Sequence, residues 1–276
     1  MPFTQSTWRL LITPQANGAW NMAVDEAILK EVARGEVYPT LRLYSWEPAC
    51  LSLGYAQPST DVDFDRLNAR GWHIVRRPTG GRAILHTDEI TYAVIAPHTE
   101  PRMAGGVLES YRVISKALLM ALNLVGLPAE STSHSQTQPG YDPSDPICFE
   151  VPSNFEITVM GKKLIGSAQA RKKEGVIQHG TLPLYGDLAR IIQVLKFKDE
   201  AERLRAGERL LSRAITVESV LERVISWDRI AQAFIDGFKE TLNLSFIPSE
   251  LSMDERKLTK ELVSEKYAND EWTYKI

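Results

Sequence analysis

Cys148 and the lysine pair Lys162 and Lys163 are the side chains whose types and spacing could do chemistry. The lysines follow the cysteine after a short segment and stand just beyond a predicted hairpin turn at Met160-Gly161. A cation beside a thiol favours the thiolate, which is the nucleophilic form. The arrangement is the minimum equipment for acyl transfer through a thioester, although a lone cysteine without context is more often a small buried hydrophobe.

The elements that must position these residues are short strands and amphipathic helices. Apolar residues at helical spacing predict helices over residues 17–33 and 107–125. The predicted strands are 73–77, 82–86 and 90–96, followed by an antiparallel meander of 155–159, 163–171 and 176–184. Gly80-Gly81, between the first two of these strands, predicts a tight turn, because glycine permits positive φ.

A long polar segment, residues 131–146, divides the chain and leads directly to Cys148. It contains four serines, three prolines and a glycine, and it has no apolar periodicity. Loops of this length inside compact domains are usually functional or disordered. Helical pattern dominates after Asp187. The simplest organisation is therefore a β-rich catalytic body over residues 1–186, with a mainly helical section over residues 187–276 packed on it.

The composition excludes several classes of protein. A chain of 276 residues with 43% hydrophobic content can bury a full core. A formal net charge of −3 does not favour nucleic acid or an anionic membrane as a partner. Cys50 and Cys148 are far apart in sequence, and no Cys and His spacing resembles a zinc site. Without a signal peptide or an apolar run of ~18 residues, the expected compartment is the reducing cytoplasm.

Three stretches together resemble the lipoate–protein ligase A/octanoyltransferase branch of the biotin/lipoate ligase superfamily. They are Val75 to His86, Cys148 to Ser153, and Gly161 to Gln169 with its continuation Gln178 to Leu182. The resemblance covers most of the chain, from Gly18 through Leu184. It implies an α+β fold, with a biotin/lipoate-ligase-like catalytic domain of mixed, largely antiparallel sheets flanked by helices, plus a C-terminal helical section.

The resemblance also implies a set of site residues. Cys148 and Lys163, rather than Lys162, take the catalytic positions, and no metal or cofactor is implied. The Arg-Arg-x-x-Gly-Gly turn would line a tunnel for an eight-carbon acyl chain, whose burial is worth about 5 kcal/mol at ~0.8 kcal/mol per CH₂. The substrate-binding residues implied are Arg76, Arg77, Thr79, Gly80, Gly81, His86, Gly166, Ser167, Ala168, His179 and Gly180.

Alternation along the strand limits how many of these residues can face the tunnel. Arg76 and Arg77 are consecutive, so at most one of them is expected to face it, and the other to be a solvated or salt-bridged surface residue. For His179, packing or hydrogen bonding is expected rather than a direct catalytic part. The role of His86 is left open, and Cys50 is expected to be inert core.

Departures from the family pattern favour one branch. ATP-dependent ligases usually carry three consecutive glycines in the turn, and here the third position is Arg82. Cysteine-dependent octanoyltransferases have Cys-Phe-x-x-Pro-Ser upstream of a Gly-Lys-Lys hairpin, as found at residues 148–153 and 161–163. Three alternatives remain open: an ATP-dependent lipoate–protein ligase, an amidotransferase that moves octanoyl between lipoyl proteins, and a non-catalytic acyl-binding relative.

The favoured branch implies a two-step mechanism. The Cys148 thiolate would take octanoyl from octanoyl-acyl carrier protein, and a lysine of a lipoyl domain or glycine-cleavage H protein would then take it from the thioester, as a step of lipoate biosynthesis. Lys163 would stabilise the thiolate and later help to deprotonate the amine or stabilise the oxyanion. No ATP, nucleic acid or membrane is needed for this chemistry.

Overall fold

The computed structural model describes residues 3–132, 146–147 and 156–276, so Cys148 lies outside the described residues. In chain order the strands are β1 (Ser6–Ile12), β2 (Thr40–Tyr44), β3 (Cys50–Leu53), β4 (His73–Arg76), β5 (Ile84–His86), β6 (Glu89–Ala96), β7 (Glu130–Thr132), β8 (Glu156–Val159), β9 (Lys162–Lys172), β10 (Gly175–Pro183) and β11 (Leu244–Pro248). The helices are α1 (Gly18–Arg34), α2 (Phe64–Ala69), α3 (Val107–Leu124), α4 (Glu200–Arg213), α5 (Val217–Leu221), α6 (Trp227–Leu242), α7 (Met253–Leu262) and α8 (Asp270–Thr273).

Most of these strands join one large mixed sheet. Among the described residues its order is β11-β1-β2-β6-β10-β9-β8-β7. Strands β11, β1 and β2 run parallel to one another, and every pairing from β2 to β7 is antiparallel. In the central strand β6, Tyr92 and Val94 pack on one face and Ala93 and Ile95 on the other, as the two-residue period of a strand requires. The predicted mixed, largely antiparallel fold is confirmed.

Helix α1 covers one face of the large sheet, and its start is set by Asn17. The Asn17 side chain accepts a hydrogen bond from the Trp20 backbone N–H, and Gly35 ends the helix at φ 76°. The helix packs against β6 and β10 on one side and against α7 on the other. The acidic side chain of Asp25 is fully buried against Arg42 and Tyr44 of β2 and His179 of β10.

The segment after residue 187 is built into both sides of the sheet. Strand β11 pairs parallel with β1 and extends the sheet at its edge, and the sequence analysis missed this strand. Helix α6 packs on α3, on the face opposite α1. The division of the chain at residues 186 and 187 stays a prediction. None of the helices within the described ranges is long and apolar enough to cross a bilayer.

A second, three-stranded sheet has the order β4-β3-β5. Strand β4 runs parallel to β3 and β5 runs antiparallel to it, so the chain between β4 and β5 crosses over β3. The predicted tight turn between two neighbouring strands is therefore wrong. Of the two glycines in this connection, only Gly81 has a positive φ, at 91°. The crossing brings Gly81 onto Gly54, where a Cβ atom would lie 1.8 Å from the Gly81 carbonyl oxygen.

Replacing Gly54 by alanine is expected to destabilise the protein by about 1–3 kcal/mol, because the added methyl group must push the Gly81 backbone away. Gly80 provides a matched comparison, since a Cβ there meets nothing within 4 Å and its φ is not positive. Gly80→Ala should change stability by less than about 0.5 kcal/mol. Urea unfolding of the two variants measures the difference, and equal stabilities would contradict this account of the close approach.

Candidate active site

A pocket between the large and the small sheet collects most of the predicted substrate-binding residues. The pocket is narrow, with about 20 Å³ of space open to the centre of a water-sized sphere. The predicted residues that line it are Arg77, His86, Gly166, Ser167, Ala168, His179 and Gly180. The lining residues that the sequence analysis did not single out are Met22, Tyr44, Trp46, Ser52, Ile84, Thr91 and Thr181.

The other predicted residues stand outside this lining. Thr79 is fully buried behind His179, and Gly80 and Gly81 belong to the exposed crossover loop. Ser167 lines the pocket, but its hydroxyl bonds the Tyr92 hydroxyl at 2.7 Å on the other face of the sheet. Burial raises the pKa of Tyr92 to about 12, so this phenol stays protonated.

Arg77 holds the crossover loop against the small sheet. Its Nη1 donates hydrogen bonds to the backbone carbonyl and the hydroxyl of Ser52, at 3.0 and 3.1 Å. Its Nη2 donates to the carbonyls of Gly80 and Arg82, at 2.9 and 2.7 Å. One guanidinium thus fixes the crossover loop relative to strand β3.

Arg76 is buried on the other side of the same strand. Its guanidinium donates to the carbonyls of Gly54, Gln57 and Thr273, at 2.8, 2.6 and 3.0 Å. The expectation that one of the two arginines is a solvated or salt-bridged surface residue is wrong, because Arg76 is 0% and Arg77 3% exposed. Arg76 joins the C-terminal segment to the loop that carries Gly54, a contact that alternation along the strand could not indicate.

His86 is held in one orientation by three neighbours. Its Nδ1 lies 2.7 Å from Oε1 of Glu89, and its Nε2 lies 2.8 Å from the Ser52 hydroxyl. The ring stacks on the Trp46 indole, with centroids 3.9 Å apart. The Trp46 N–H in turn donates to Thr91 at 2.8 Å. These contacts shape one wall of the pocket.

His179 faces the pocket from β10 and connects the crossover loop to helix α1. Its Nε2 and the Thr79 hydroxyl share a hydrogen bond of 2.7 Å, and its Nδ1 lies 3.6 Å from Oδ2 of Asp25. Burial lowers the pKa of His179, and Asp25 offsets that shift only in part. Burial thus favours the neutral form of this imidazole.

Asp25 is the centre of a buried polar cluster. Arg42 donates to its Oδ1 at 2.6 Å and Tyr44 donates to its Oδ2 at 3.0 Å. Burial alone would raise the pKa of Asp25, but the Arg42 charge and the contact with His179 outweigh it, so the pKa is lowered. The sequence analysis missed Asp25 and Arg42 because neither belongs to a recognised motif, and nothing local shows that they meet.

Asp25→Asn should lower the free energy of unfolding by about 3–5 kcal/mol, because it leaves the fully buried Arg42 without its counter-charge. The exposed pair of Glu250 with Arg256 is the control, and Glu250→Gln should cost less than about 1 kcal/mol. Since the pKa of Asp25 is lowered, its stabilisation is present above the ordinary carboxyl pKa and is lost as pH falls through the folded-state pKa. Denaturant unfolding against pH measures both effects. An Asp25→Asn variant as stable as the parent protein would contradict this prediction.

Lys163 is buried in a position apart from the pocket lining. Its Nζ lies 2.9 Å from Oε1 of Glu156, with the two side chains 5% and 7% exposed. Its carbonyl accepts a hydrogen bond from the backbone N–H of Ile215 at 3.1 Å. Gly166 follows three residues later on the same strand, about 10 Å away at ~3.3 Å per residue. The sequence analysis did not assign Glu156 any role.

The chain reaches residue 147 beside the pocket. Ile147 forms a bridge with Ala83, whose N–H donates to the Pro146 carbonyl at 2.9 Å. Ile147 is buried among the same apolar side chains as Ile84, which lines the pocket. The predicted nucleophile Cys148 is the next residue in the chain.

The described lining of the pocket combines apolar side chains, glycine backbone and buried polar groups. The His86 and His179 rings each share a hydrogen bond with a neighbouring hydroxyl through Nε2, whereas Nδ1 of His179 and Oγ1 of Thr181 make no hydrogen bond among the described residues. Within the described ranges, no group of three or more His, Cys, Asp or Glu side chains is arranged to hold a metal ion.

The fold and the position of this pocket define a class of protein, and comparison with known families agrees. The lipoyl protein ligase A/B catalytic domain model matches residues 17–239, and the chain belongs to this family. It is similar to octanoyltransferase LipM of Kyrpidia tusciae, with 43% identity over 98% of this chain and 99% of that protein. The LipM of Staphylococcus aureus is 37% identical over 98% of this chain and 99% of that protein.

Solved structures show the same architecture. The bipartite lipoate protein ligase of Thermoplasma acidophilum superposes with a TM-score of 0.79 at 26% identity, covering 97% of this chain and 96% of that one. A lipoate-protein ligase A bound with ATP gives the same TM-score and identity, covering 98% of this chain and 99% of that one. The predicted family and fold are confirmed.

Proposed function

We propose that this protein is an octanoyltransferase of lipoate biosynthesis. The observation that carries the proposal is its similarity to several LipM octanoyltransferases at 36–43% identity along nearly the whole chain. The apolar pocket between the two sheets is the place for the acyl chain. Roles in binding that chain fall to Arg77, His86, Gly166, Ser167, Ala168, His179 and Gly180. Arg76, Thr79, Gly80 and Gly81 act by holding the pocket wall.

Cys148 is the nucleophile of the proposed reaction. Its thiolate attacks the thioester of octanoyl-acyl carrier protein and releases the carrier thiol, leaving octanoyl on the Cys148 sulfur. The anchoring of the preceding residue, Ile147, at the pocket wall supports this assignment. A thiol that must stay reduced also supports a reducing, cytoplasmic location.

A lysine of a lipoyl domain or glycine-cleavage H protein completes the reaction. Its neutral amine attacks the acyl carbon, the bond to the Cys148 sulfur breaks, and a stable amide forms. Exchange between thioesters is nearly balanced and thioester to amide is downhill, so ATP is not required. Lys163 supplies a positive charge near the reacting groups. A related archaeal ligase was solved as a lipoylation system together with its E2 lipoyl domain, which supports an acceptor of this kind.

An ATP-dependent lipoate–protein ligase is the second candidate. The observation that favours it is the similarity to a lipoate-protein ligase A bound with ATP, at a TM-score of 0.79. Against it stands Arg82, which replaces the third glycine of the ligase turn. The arginine leaves less room for nucleotide phosphates beside Gly81.

One assay separates the candidates. The protein is incubated with octanoyl-acyl carrier protein, with or without a lipoyl domain, and intact masses are recorded. An octanoyl adduct that moves to the lipoyl domain without ATP is the expected result. Modification of the domain only with free octanoate or lipoate and ATP would favour the ligase. Acyl exchange between an octanoylated H protein and a lipoyl domain, with no use of the carrier donor, would identify an amidotransferase. The absence of any adduct or product under all of these conditions would indicate a non-catalytic acyl-binding protein.

A further inference from the structure

Glu156 is the described buried partner of the lysine to which the proposed function assigns the positive charge. Its Oε1 lies 2.9 Å from the Lys163 Nζ, and the Glu156 side chain is 7% exposed. A carboxylate removed from water is unfavourable unless it is paired and hydrogen-bonded. Glu156 meets this condition by pairing with Lys163, whose side chain is itself only 5% exposed.

Strand pairing surrounds this pair on β8 and β9. Strand β8 pairs antiparallel with β9, and Thr158 stands opposite Lys163. Glu156 lies two residues before Thr158, the β8–β9 register shifts between Ile157 and Thr158, and the Glu156 carboxylate lies 2.9 Å from the Lys163 amine. The other edge of the strand at Lys163 is held by Ala214 and Ile215, through a bridge and a hydrogen bond of 3.1 Å. The Lys163 backbone is thus paired on both edges of its strand.

We propose that Glu156 is the positioning residue of Lys163 and the group that takes up its proton during amide formation. The proposal rests on the proposed octanoyl transfer and deepens it. Glu156 holds the Lys163 amine toward the incoming acceptor. It also lets Lys163 accept a proton although Lys163 starts as an ammonium group.

The proton balance of the step is as follows. The neutral acceptor amine forms a C–N bond with the acyl carbon, and the bond between that carbon and the Cys148 sulfur breaks, leaving its electron pair on the thiolate. The attacking nitrogen gives one proton to Lys163, and Lys163 passes one of its own to Glu156. One carboxylate is neutralised as one thiolate appears, so charge is conserved. The proton on Glu156 then returns through Lys163 to the thiolate.

The test measures the two half-reactions separately in single-turnover experiments with octanoyl-acyl carrier protein and a lipoyl domain. Glu156→Gln should slow transfer from the enzyme to the domain by about 10- to 100-fold, so that the acyl-enzyme accumulates. Formation of the acyl-enzyme should change by less than about threefold on the same scale. Glu156→Asp should restore part of the second step, because it keeps the carboxylate.

A double-mutant cycle tests whether Glu156 acts through the lysine. If it does, Glu156→Gln should have little further effect on the second step in a Lys163→Met background. Additive losses would overturn the proposal. So would equal losses in both half-reactions, or a Glu156→Gln enzyme as fast as the parent.

The buried pair of Arg9 and Glu255 is the matched control for lost stability. Their side chains are 7% and 0% exposed, and β1, which carries Arg9, is separated from β8 by four strands. Glu255→Gln should destabilise the fold without accumulation of acyl-enzyme, whereas accumulation there would overturn the specific role of Glu156. The unmodified enzyme separates a failure of the proposed function from a failure of the role of Glu156. If it transfers no octanoyl at all, the proposed function fails; if it does so with Glu156→Gln unchanged, only the role of Glu156 fails.

Discussion

Cys148→Ala is expected to abolish octanoyl transfer, with turnover falling on the order of 10⁴-fold or more. The physical reason is that the second thiol of the chain, Cys50, is buried and cannot carry the acyl group to the acceptor. Intact mass spectrometry after addition of octanoyl-acyl carrier protein should show the adduct on the parent protein and none on the variant. Proteolysis of the adduct should locate the added mass on the peptide that contains Cys148.

Cys50 is the natural control for this experiment. It is fully buried in β3, and burial raises the pKa of its thiol well above the ordinary value, so it stays protonated and inert. Cys50→Ala should therefore retain the adduct and the transfer activity. An adduct on Cys50, or full activity in Cys148→Ala, would contradict the assignment of Cys148 as the nucleophile.

Lys163→Met is expected to lower the rate of octanoyl transfer by on the order of 10²-fold or more, because it removes a fixed positive charge from the site. Methionine keeps much of the side-chain volume, so the effect can be attributed to the charge and the proton-transfer group. Steady-state transfer to a lipoyl domain measures the loss. Circular dichroism and thermal unfolding establish that the variant is folded.

Lys162 is the matched neighbour. Its Nζ donates to the backbone carbonyl of Leu211 at 2.8 Å, an exposed contact on the other side of the same hairpin end. Lys162→Met should retain nearly full activity. A larger loss in Lys162→Met than in Lys163→Met would reverse the assignment of the two lysines.

Both experiments depend on predictions that came from short stretches of sequence. Each of the two runs, Cys148 to Ser153 and Gly161 to Gln169, is an uninterrupted stretch of sequence, so its motif can be recognised without knowledge of the fold. The meander was predictable for the same reason, since alternation has a period of two and Gly161 turns the chain at φ 74°. Family, fold class and most of the pocket residues on β9 and β10 could therefore be predicted.

Several contacts that the sequence analysis did not predict join residues that are distant in sequence. Asp25 meets Arg42 across a helix–sheet contact, Trp46 stacks on His86, and Arg76 bonds the carbonyl of Thr273. A periodic pattern indicates which face of an element is apolar, but it does not indicate what covers the opposite face. Polar residues on that opposite face become buried partners only after the elements pack.

The sequence by itself determined the class of protein, the candidate nucleophile and lysine, and the elements that carry them, because each of these is written in neighbouring residues. Tertiary structure alone decided that the crossover loop passes over β3, that β11 joins the sheet, and that Asp25 meets Arg42. These outcomes depend on the order in which strands pair and helices pack. Such long-range contacts are chosen by the burial of the whole chain rather than by any one segment.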